Sequence, residues 1–297
     1  MNNSILITGG TGSFGQALVK KLIATDQYER IVVYSRDEHK QERMHATIRN
    51  DRVRYFIGDV RDRDRLKLAM RGCFHIVHAA ALKIVPAAEY NPQEYVKTNI
   101  LGSQNIIDIC LGNNYATKHV VALSTDKAVS PINLYGATKL CMEKMFLASN
   151  ALIGAEPIAK FDVCRYGNVA NSNGSVIPLF CQQHAEGKPF TITHEDMTRY
   201  WITLDEATNF VMERFKEWQF PEQTGRLYIP DMPSFKIKDL AWAMNGENSE
   251  RLGYKIIGIR PGEKLHEQID IDRFSNTNDK WLGCNELRSE LIKLGAL

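Results

Sequence analysis

The residues best suited to acid–base chemistry lie in one stretch, LSTDKAVSPINLYGATKL, at positions 123–140. Tyr135 and Lys139 are four positions apart, so on a helix they share one face. A phenol has a pKa of about 10 and is a poor base at neutral pH. An ammonium group one helical turn away favours the phenolate and lowers that pKa. We therefore predict that Tyr135 is a catalytic base supported by Lys139, with Thr125 holding a substrate hydroxyl beside it.

A glycine-rich segment near the front, ILITGGTGSFGQALVKKL at 5–22, joins an apolar strand to a helix. Gly10, Gly12 and Gly15 fit the pattern Gly-x-Gly-x-x-Gly, and Gly9 begins an overlapping Gly-x-x-Gly-x-x-Gly. In a dinucleotide site such glycines permit a sharp turn, a close approach of backbone N–H groups to a pyrophosphate, and tight helix–strand packing. The helix N-terminus adds its dipole. A ligand-free turn is the alternative, but the strand before and the helix after favour a dinucleotide site.

The end of the second predicted strand, VVYSRDEHK, bears on the choice of cofactor. A site for NAD usually places Asp or Glu here, where it accepts a hydrogen bond from the ribose 2′-hydroxyl. This chain has Ser35 and Arg36, and a guanidinium suits a 2′-phosphate. We predict NADP, with Ser35, Arg36 and Lys40 at the phosphate. Asp37 leaves a ribose contact open, and a solvated run of charges is the alternative.

Two further strand ends extend the predicted cofactor site. Asp59 and Val60, in GDVRD, are expected to lie against the adenine, with the carboxylate accepting from the exocyclic amine. The sequence HAAA at 78–81 ends the fourth strand. Its small side chains would let the nicotinamide ribose lie against the backbone.

Strands and helices alternate around these motifs. Short β-rich runs occur at 4–8, 30–35, 53–58, 75–80, 119–124 and 161–166, and amphipathic segments include 15–24, 62–70, 92–111 and 134–148. This alternation predicts an α/β fold, a Rossmann-type doubly wound parallel sheet built from right-handed βαβ units. After about residue 165 glycine and proline become frequent, with helical signals at 204–217 and 237–244. We predict a dinucleotide-binding domain over 1–165 with a return segment near 200–220, and a smaller substrate-binding lobe over 166–297.

Composition narrows the class of protein. The 297 residues include 37 basic and 35 acidic ones, a balance without the basic excess typical of nucleic-acid binding. The six cysteines are scattered without metal-ligand spacing, so we expect reduced thiols and no metal. The N-terminus lacks signal-peptide features, and no apolar run reaches the ~20 residues that span a bilayer. We expect a cytoplasmic protein without a nucleic-acid or membrane partner.

Taken together, the motifs resemble the extended short-chain dehydrogenase/reductase family, which acts on nucleotide sugars. In that family the Tyr and Lys of Tyr-x-x-x-Lys are catalytic, matching Tyr135 and Lys139, and a Ser or Thr ending the preceding strand matches Thr125. The resemblance implies a complete NADP site formed by Gly9, Thr11, Gly12, Ser13, Phe14, Gly15, Ser35, Arg36, Asp37, Lys40, Asp59, Val60, Ala79, Ala81, Lys83, Asn99, Tyr135 and Lys139.

The segments HAAALKIVPAAEYNP, STDKAVSPINLYGATK, RYGNV, MTRYWIT and IRPGEKLHE resemble, within that family, the inverting UDP-N-acetylglucosamine 4,6-dehydratases of pseudaminic acid synthesis. Such an enzyme must remove the C5 proton and expel the C6 hydroxyl as water, which requires a general acid and a base. An epimerase that only moves a hydride does not. The resemblance implies that Asp126 and Lys127, directly after Thr125, supply these functions in either order. A surface ion pair is the alternative.

The resemblance also implies UDP-N-acetylglucosamine as substrate and a set of anchors for it. Lys83 would reach the sugar, Asn168 the sugar or its phosphate, and Glu263 a ribose hydroxyl. A diphosphate needs several positive donors, which Arg199 and Arg260 would supply. The remaining implied substrate contacts are Thr125 and Val176. Because the family commonly forms dimers or larger assemblies, we expect a homo-oligomer.

Three alternatives stay open at this point. A 4,6-dehydratase that retains C5 configuration often carries Met in place of Tyr135 and is often membrane-anchored, so we prefer inversion. A dehydratase coupled to C5 epimerisation in capsule sugar synthesis also tends to lack the Tyr. A noncatalytic NADP-binding scaffold on the same fold is disfavoured by the intact Thr125, Tyr135 and Lys139. The stretch after about residue 270 gives no matching motif.

Overall fold

The computed structural model describes residues 3–112, 116–152, 159–216, 225–245 and 252–297. A seven-stranded parallel sheet runs through it in the order β10-β6-β5-β4-β1-β2-β3. Its strands are β1 Ser4–Thr8, β2 Arg30–Ser35, β3 Val53–Ile57, β4 His75–His78, β5 His119–Thr125, β6 Lys160–Tyr166 and β10 Leu227–Tyr228. The order 3-2-1-4-5-6 is that of a Rossmann sheet. The predicted fold class and the six strands behind it are confirmed.

Helices of the described ranges cover both faces of this sheet and continue into the second half of the chain. They are α1 Ser13–Thr25, α2 Glu38–Ile48, α3 Arg63–Met70, α4 Val85–Tyr90, α5 Pro92–Tyr95, α6 Gly102–Leu111, α7 Leu134–Ser149, α8 Val176–Ala185, α9 Leu204–Lys216, α10 Ile237–Asn245 and α11 Cys284–Lys293. The helix predicted over 204–217 agrees through Lys216, and residue 217 lies outside the described residues. None of the helices in the described ranges is long and apolar enough to cross a membrane.

One predicted helix, 92–111, is divided by a π-helical segment, Val96–Leu101, between α5 and α6. The segment carries Asn99, which is almost wholly buried. Its amide accepts a hydrogen bond from Leu82 N (2.9 Å) and donates to Leu82 O (2.9 Å) and to Thr138 Oγ1 (3.0 Å). A π-turn re-aims side chains within a helix and is frequent near functional sites. Here it accompanies an inward-facing amide that the regular apolar pattern does not reveal.

Alternate side chains of each buried strand enter two different cores, as expected for a sheet covered on both faces. Ile5 and Ile7 pack with α1 and α9, through residues such as Leu18 and Val211. Leu6 packs on the other face with α3, α6 and α7. Because α9 contacts α1, β5 and β6, the segment 204–216 returns to the sheet from the second half of the chain.

A third core lies in the second half of the chain. It groups α8, α10 and α11 with a three-stranded sheet formed by β7 Asn168–Val169, β9 Thr198–Ile202 and β11 Ser234–Lys236. Two small pairs join β8 Phe190–Ile192 to β12 Tyr254–Ile256, and β13 Gln268–Asp270 to β14 Arg273–Phe274. The rings of Trp201 and Phe235 pack edge to face in this core, with their centroids 5.4 Å apart. Several site residues belong to these small elements.

Candidate active site

A cavity of about 1470 Å³ opens beyond the carboxyl ends of the parallel strands, where open α/β sheets bind their ligands. Its wall combines the glycine loop, the ends of β2 to β6 and residues of the second half of the chain. Of the site residues predicted from sequence, all of them within the described ranges, only Asp126 and Asn99 lie outside this wall. The structure therefore brings the predicted cofactor and substrate residues to one place.

The glycine loop has the shape that a pyrophosphate requires. Gly9 has a φ of +67°, and a Cβ there would lie 2.9 Å from the Cα of Ala80. A Cβ on Gly15 would lie 2.5 Å from the Cα of Gly10, so α1 packs on the loop this closely only with glycine at position 15. Gly12 is the N-cap of α1 and has no side chain to satisfy the first N–H groups. Ser13 and Phe14 of that first turn line the cavity, so a dinucleotide phosphate fits here.

At the end of β2, one predicted phosphate ligand is already engaged. The hydroxyl of Ser35 accepts from Thr11 Oγ1 and from Gln41 Nε2, both at 3.1 Å. Asp37 caps α2, its carboxylate accepting from Lys40 N at 3.0 Å with Lys40 Nζ at 3.3 Å. The side chains of Arg36 and Lys40 are 53% and 52% exposed at the cavity. The nearest carboxylate to Arg36, that of Asp59, is 3.7 Å away, so of the two cations Arg36 is the less closely paired.

Asp59 faces the same end of the cavity. Its carboxylate accepts from Arg61 Nη2 at 2.6 Å and Nε at 2.8 Å, and Arg36 Nη1 lies 3.7 Å away. Partial burial opposes ionisation, but the hydrogen bonds from Arg61 outweigh it and lower the pKa of Asp59. The carboxylate is thus ionised and can accept a hydrogen bond from an amine, as predicted for the adenine.

Thr125, Tyr135 and Lys139 converge on the cavity from the end of β5 and the first turns of α7. Burial raises the pKa of Tyr135 to about 12, while the Lys127 ammonium and a hydrogen bond with Thr125 lower it. Lys139 Nζ donates to Leu123 O at 2.5 Å, and burial lowers the pKa of Lys139 to about 8. The net shift of the Tyr135 pKa is therefore upward without a cofactor, because burial dominates, and Lys127 is a cation that lowers it. A lowering by Lys139 stays a prediction.

Asp126 and Lys127 form a short 3₁₀ turn, Asp126–Ala128, after β5. Lys127 Nζ lies 3.0 Å from Asp126 Oδ1 and 3.1 Å from Glu267 Oε1. Asp126 is 0% exposed, which contradicts the alternative of a surface ion pair. Lys127 is 22% exposed and lines the cavity, so it is the member of the pair whose side chain is open to the cavity. Asp126, called catalytic from sequence, can act only through its neighbours.

The protonation of this pair follows from its surroundings. Burial raises the pKa of Asp126, although the Lys127 charge opposes the shift. Burial alone would lower the pKa of Lys127, but Asp126 and Glu267 outweigh it and raise that pKa. Lys127 is therefore an ammonium at neutral pH and begins any reaction as a proton donor.

Two residues of this cluster were missed by sequence reasoning. Glu267 is 1% exposed, lines the cavity and contacts both Lys127 and Arg199, the latter with Nε at 3.6 Å. Glu267 belongs to IRPGEKLHE, one of the segments that carry the family resemblance, but nothing in the segment distinguishes it from Glu263. Gly136 is the other: a Cβ there would lie 2.1 Å from the carbonyl oxygen of Lys127. A glycine next to the reactive Tyr was the available signal.

The predicted substrate anchors gather positive charge on one side of the cavity. Arg199, on β9, donates to Thr198 O at 2.7 Å and has Glu263 Oε1 at 3.5 Å. Glu263 in turn accepts from Arg260 N at 3.2 Å, so its carboxylate is partly engaged within the protein. Burial, followed by the charge of Lys127, lowers the pKa of Lys83. The other two predicted contacts lie in the same wall: Asn168, with Oδ1 3.5 Å from Lys127 Nζ, and Val176, the first residue of α8.

Asn99, placed in the cofactor site from sequence, has a different position. It lies outside the wall, and its amide holds Leu82 in the loop between β4 and α4. His78 continues this buried network, between Thr8 Oγ1 at 2.8 Å and Ser103 Oγ at 3.0 Å. These groups shape the wall beside Ala79 and Ala81. Within the described part of the chain, no cluster of three or more His, Cys, Asp or Glu could hold a metal ion.

Comparisons with known proteins agree with this geometry. The family model described as "Polysaccharide biosynthesis protein" matches residues 5–281. A UDP-N-acetylglucosamine 4,6-dehydratase (inverting) of Campylobacter jejuni is 50% identical over 265 residues, 89% of this chain and 76% of that protein. A UDP-glucose 4-epimerase of Rickettsia bellii is 40% identical over 272 residues, 91% and 78% of the two chains.

Among solved structures, Pen from Bacillus thuringiensis superposes with a TM-score of 0.89 at 31% identity. The match covers 100% of this chain and 99% of that one. The resemblance to nucleotide-sugar enzymes of the extended short-chain dehydrogenase/reductase type is therefore confirmed. The chain belongs to the polysaccharide biosynthesis protein family that the matching model describes.

Proposed function

We propose that this protein is an NADP-dependent UDP-N-acetylglucosamine 4,6-dehydratase that inverts C5. The observation that carries the proposal is Lys127, which enters the cavity held between Asp126 and Glu267 and acts electrostatically on Tyr135. A simple 4-epimerase has no use for this second acid–base group. The Campylobacter jejuni protein that is named for this activity is 50% identical to this chain and supports the proposal.

The chain's own groups account for every proton of the reaction. When bound, NADP supplies the acceptor and then the donor of one hydride, so there is no net redox change. Burial leaves Tyr135 a neutral phenol in the structure described, and the positive charge of a bound nicotinamide, added to that of Lys127, would favour its phenolate. As phenolate, Tyr135 takes the proton of the C4 hydroxyl while Thr125 holds that oxygen. The resulting ketone acidifies C5. Lys127 donates a proton to the leaving C6 hydroxyl, and the amine so formed takes the proton from C5.

Inversion requires that C5 regain a proton from the opposite face of the sugar. In the proposed scheme Tyr135 supplies it, returning the proton that it took from the C4 hydroxyl. Both groups then recover their starting states: Tyr135 is again phenolate, and Lys127 is again ammonium. Each acid–base role contributes on the order of 10²–10⁴ in rate. The scheme gives Asp126 no contact with the sugar, in keeping with its complete burial.

Arg36 supports NADP over NAD, because its exposed guanidinium follows the end of β2, where dinucleotide sites recognise the 2′ group, while the Asp37 carboxylate is engaged as a helix cap. Arg199 and Arg260 would hold the diphosphate, with Lys83 and Asn168 at the sugar. We propose further that residues 166–297 form most of the substrate lobe, and that the enzyme is a cytoplasmic homo-oligomer acting first in a route to pseudaminic acid.

The test is incubation of the purified protein with UDP-N-acetylglucosamine and NADP in D₂O, followed by NMR of the sugar. We expect a C6 methyl group, a C4 ketone and deuterium at an inverted C5. Retention at C5 would identify the retaining dehydratase, and a C4 epimer with an intact C6 hydroxyl would identify the epimerase named among the relatives. Absence of any product would favour a binding scaffold.

A variant tests the role of Lys127 in dehydration. Lys127→Ala should lose no water, and it should oxidise C4, seen as NADPH absorbance at 340 nm, more slowly than the wild type, because the Tyr135 phenol loses a cation that lowers its pKa. Lys264→Ala is the matched control, because Lys264 lines the same cavity while its Nζ donates to Val129 O at 2.5 Å. That control should still form the C6 methyl group at saturating substrate. Normal turnover by Lys127→Ala would contradict the assignment.

A further inference from the structure

Glu267 is an ionisable group of the cavity that the reaction scheme above does not use. It lies just before β13, and its backbone is fixed by Ser275, whose hydroxyl accepts from Glu267 N at 2.9 Å and whose N–H donates to Glu267 O at 2.8 Å. Ser275 Oγ is in turn 2.7 Å from Thr198 Oγ1. The carboxylate is thus mounted on a rigid support beside β9.

One oxygen of this carboxylate joins two elements of the site. Glu267 Oε1 lies 3.1 Å from Lys127 Nζ, on the turn after β5, and 3.6 Å from Arg199 Nε, on β9. The second oxygen, Oε2, is buried and has no hydrogen-bond partner among the described residues. The charge of Glu267 is therefore compensated by Lys127 and Arg199, and a buried carboxylate without such partners would be costly.

We propose that Glu267 is a positioning residue for the acid–base chemistry. Glu267 and Asp126 hold Lys127 between them, an arrangement that we call the clamp. Glu267 also links Lys127 to Arg199, the proposed anchor for the diphosphate. This inference rests on the proposed function for its catalytic meaning, but the clamp itself can be tested without substrate. It predicts that Lys127 stays an ammonium because it has two carboxylate partners, each from a different part of the chain.

The charge balance around Lys127 supports the clamp. The charged and titratable groups that face it are Asp126, Tyr135, Lys83, Arg199, Lys264 and Glu267. Three of these are cations that oppose its protonation, and burial opposes it as well. Asp126 and Glu267 together outweigh them. Burial drives Asp126 toward its neutral form, whereas Lys127 and Arg199 lower the pKa of Glu267 against its own burial. Glu267 is thus a counter-ion that stays ionised beside Lys127.

The experiment compares Glu267→Gln with Glu263→Gln. Both variants keep side-chain shape and remove one carboxylate near Arg199, but only Glu267 contacts Lys127. Protein labelled with ¹³C at lysine Cε is titrated by NMR from pH 6 to 10.5, and the Lys127 resonance is assigned by its loss in Lys127→Arg. Lys127 should remain protonated throughout in the wild type and in Glu263→Gln, and should titrate within the range in Glu267→Gln.

Lys127 remaining fully protonated to pH 10.5 in Glu267→Gln would overturn the clamp. If Glu267→Gln does not fold, Glu267→Asp serves in its place, because it keeps the negative charge on a shorter side chain. Unchanged turnover and an unchanged pH profile of C5 deuterium uptake in Glu267→Asp would equally overturn the clamp. With substrate, Glu267→Gln should lower kcat at least ten-fold, and Glu267→Asp should recover part of that loss. The titration needs no substrate, so the two proposals can fail separately. A wild-type protein that forms no dehydrated sugar would contradict the proposed function, and the titration would still test the clamp.

Discussion

The carbonyl oxygen of Lys127 lies against the Cα of Gly136, only 2.1 Å from the point where a Cβ would stand. The obstructing atom belongs to the backbone, so it cannot turn aside as a flexible side chain could. Gly136 directly follows Tyr135, and the turn that carries Lys127 directly follows Thr125. This contact therefore constrains the spacing between Tyr135 and Lys127, the two groups that we propose exchange protons with the sugar.

Gly136→Ala should separate the turn of Lys127 from α7. A displacement of about 1 Å in a catalytic group can cost 10²-fold in rate, so we expect kcat to fall by about that factor. The NADP dissociation constant should stay within about two-fold, because the glycine loop is untouched. Because Gly→Ala raises helix propensity, a loss of kcat in this variant would not come from a weakened helix. An unchanged kcat in Gly136→Ala would show that the contact is not required for catalysis.

Arg36 allows the cofactor prediction to be tested by binding alone. Hydrogen bonds to a charged group contribute about 1.5–3 kcal/mol, so Arg36→Ala should weaken NADP binding by about ten- to a hundred-fold. NAD binding should barely change, because NAD has no 2′-phosphate. Fluorescence titration of both cofactors measures the effect.

Arg61→Ala is the matched control for Arg36. Arg61 also bonds to Asp59 but lies outside the cavity wall, so its loss should not distinguish the two cofactors. An equal loss of NADP and NAD affinity in Arg36→Ala would argue against a phosphate contact. A wild-type preference for NAD would overturn the assignment of NADP altogether.

Asn133 connects the catalytic helix to the substrate side of the cavity. Its Oδ1 caps α7 by accepting from Gly136 N at 2.8 Å, and its Nδ2 donates to Gly262 O at 2.7 Å, in the turn between Arg260 and Glu263. Asn133→Ala removes both bonds and should cost about 1 kcal/mol of stability through the lost cap. Asn133→Asp keeps the cap and removes the donor to Gly262.

The two Asn133 variants should therefore differ in a defined way. Both should raise KM for the UDP-sugar, because the turn that carries Arg260 is released, but only Asn133→Ala should lower the midpoint of urea unfolding. Steady-state kinetics and urea denaturation read the two effects separately. Equal destabilisation of the two variants would show that the cap adds no stability, and an unchanged KM would show that the link to Gly262 does not position the substrate side of the cavity.

The sheet and the glycine loop were predictable because their signals are local. Each buried strand is nearly continuously apolar, and the glycines stand at fixed offsets from a strand and a helix. The end of β4 was less clear: the prediction ran through Ala80, whereas the strand stops at His78. From Ala79 onward the chain lines the cavity, and small apolar residues there look like more strand.

Glu267 and the π-helical segment could not be predicted for the same physical reason. Lys127 is 140 positions from Glu267, and Leu82 is 17 positions from Asn99, so neither partnership leaves a periodic pattern. Periodicity reports which face of an element is apolar, not which polar group lies across a fold from which other. The pKa of Tyr135 is of this kind too, since burial and Lys127 act on it more than its helical neighbour Lys139 does.

His75 makes the stability of the fold sensitive to acid. It is buried at the start of β4, with Tyr28 OH 2.6 Å from Nδ1 and the Phe215 ring stacked at 4.5 Å. Burial, helped by the charge of His119, lowers the pKa of His75 to about 3. An unfolded histidine has a pKa of about 6.5, so between these values the unfolded chain binds a proton that the folded one does not.

Stability should therefore be full above pH 6.5 and should fall as the pH drops toward 3, by up to about 1.4 kcal/mol per pH unit for this group. His78, whose pKa burial also lowers to about 3, adds to the same slope. Urea unfolding at pH 7.5, 6 and 5 measures it. His75→Phe should reduce the slope of the free energy of unfolding against pH by the contribution of one proton. His39→Gln, at an exposed position, should leave that slope unchanged. Parallel pH dependences of His75→Phe and the wild type would mean that the ring of His75 is protonated in the folded protein, and that the buried contacts with Tyr28 and Phe215 tolerate its charge.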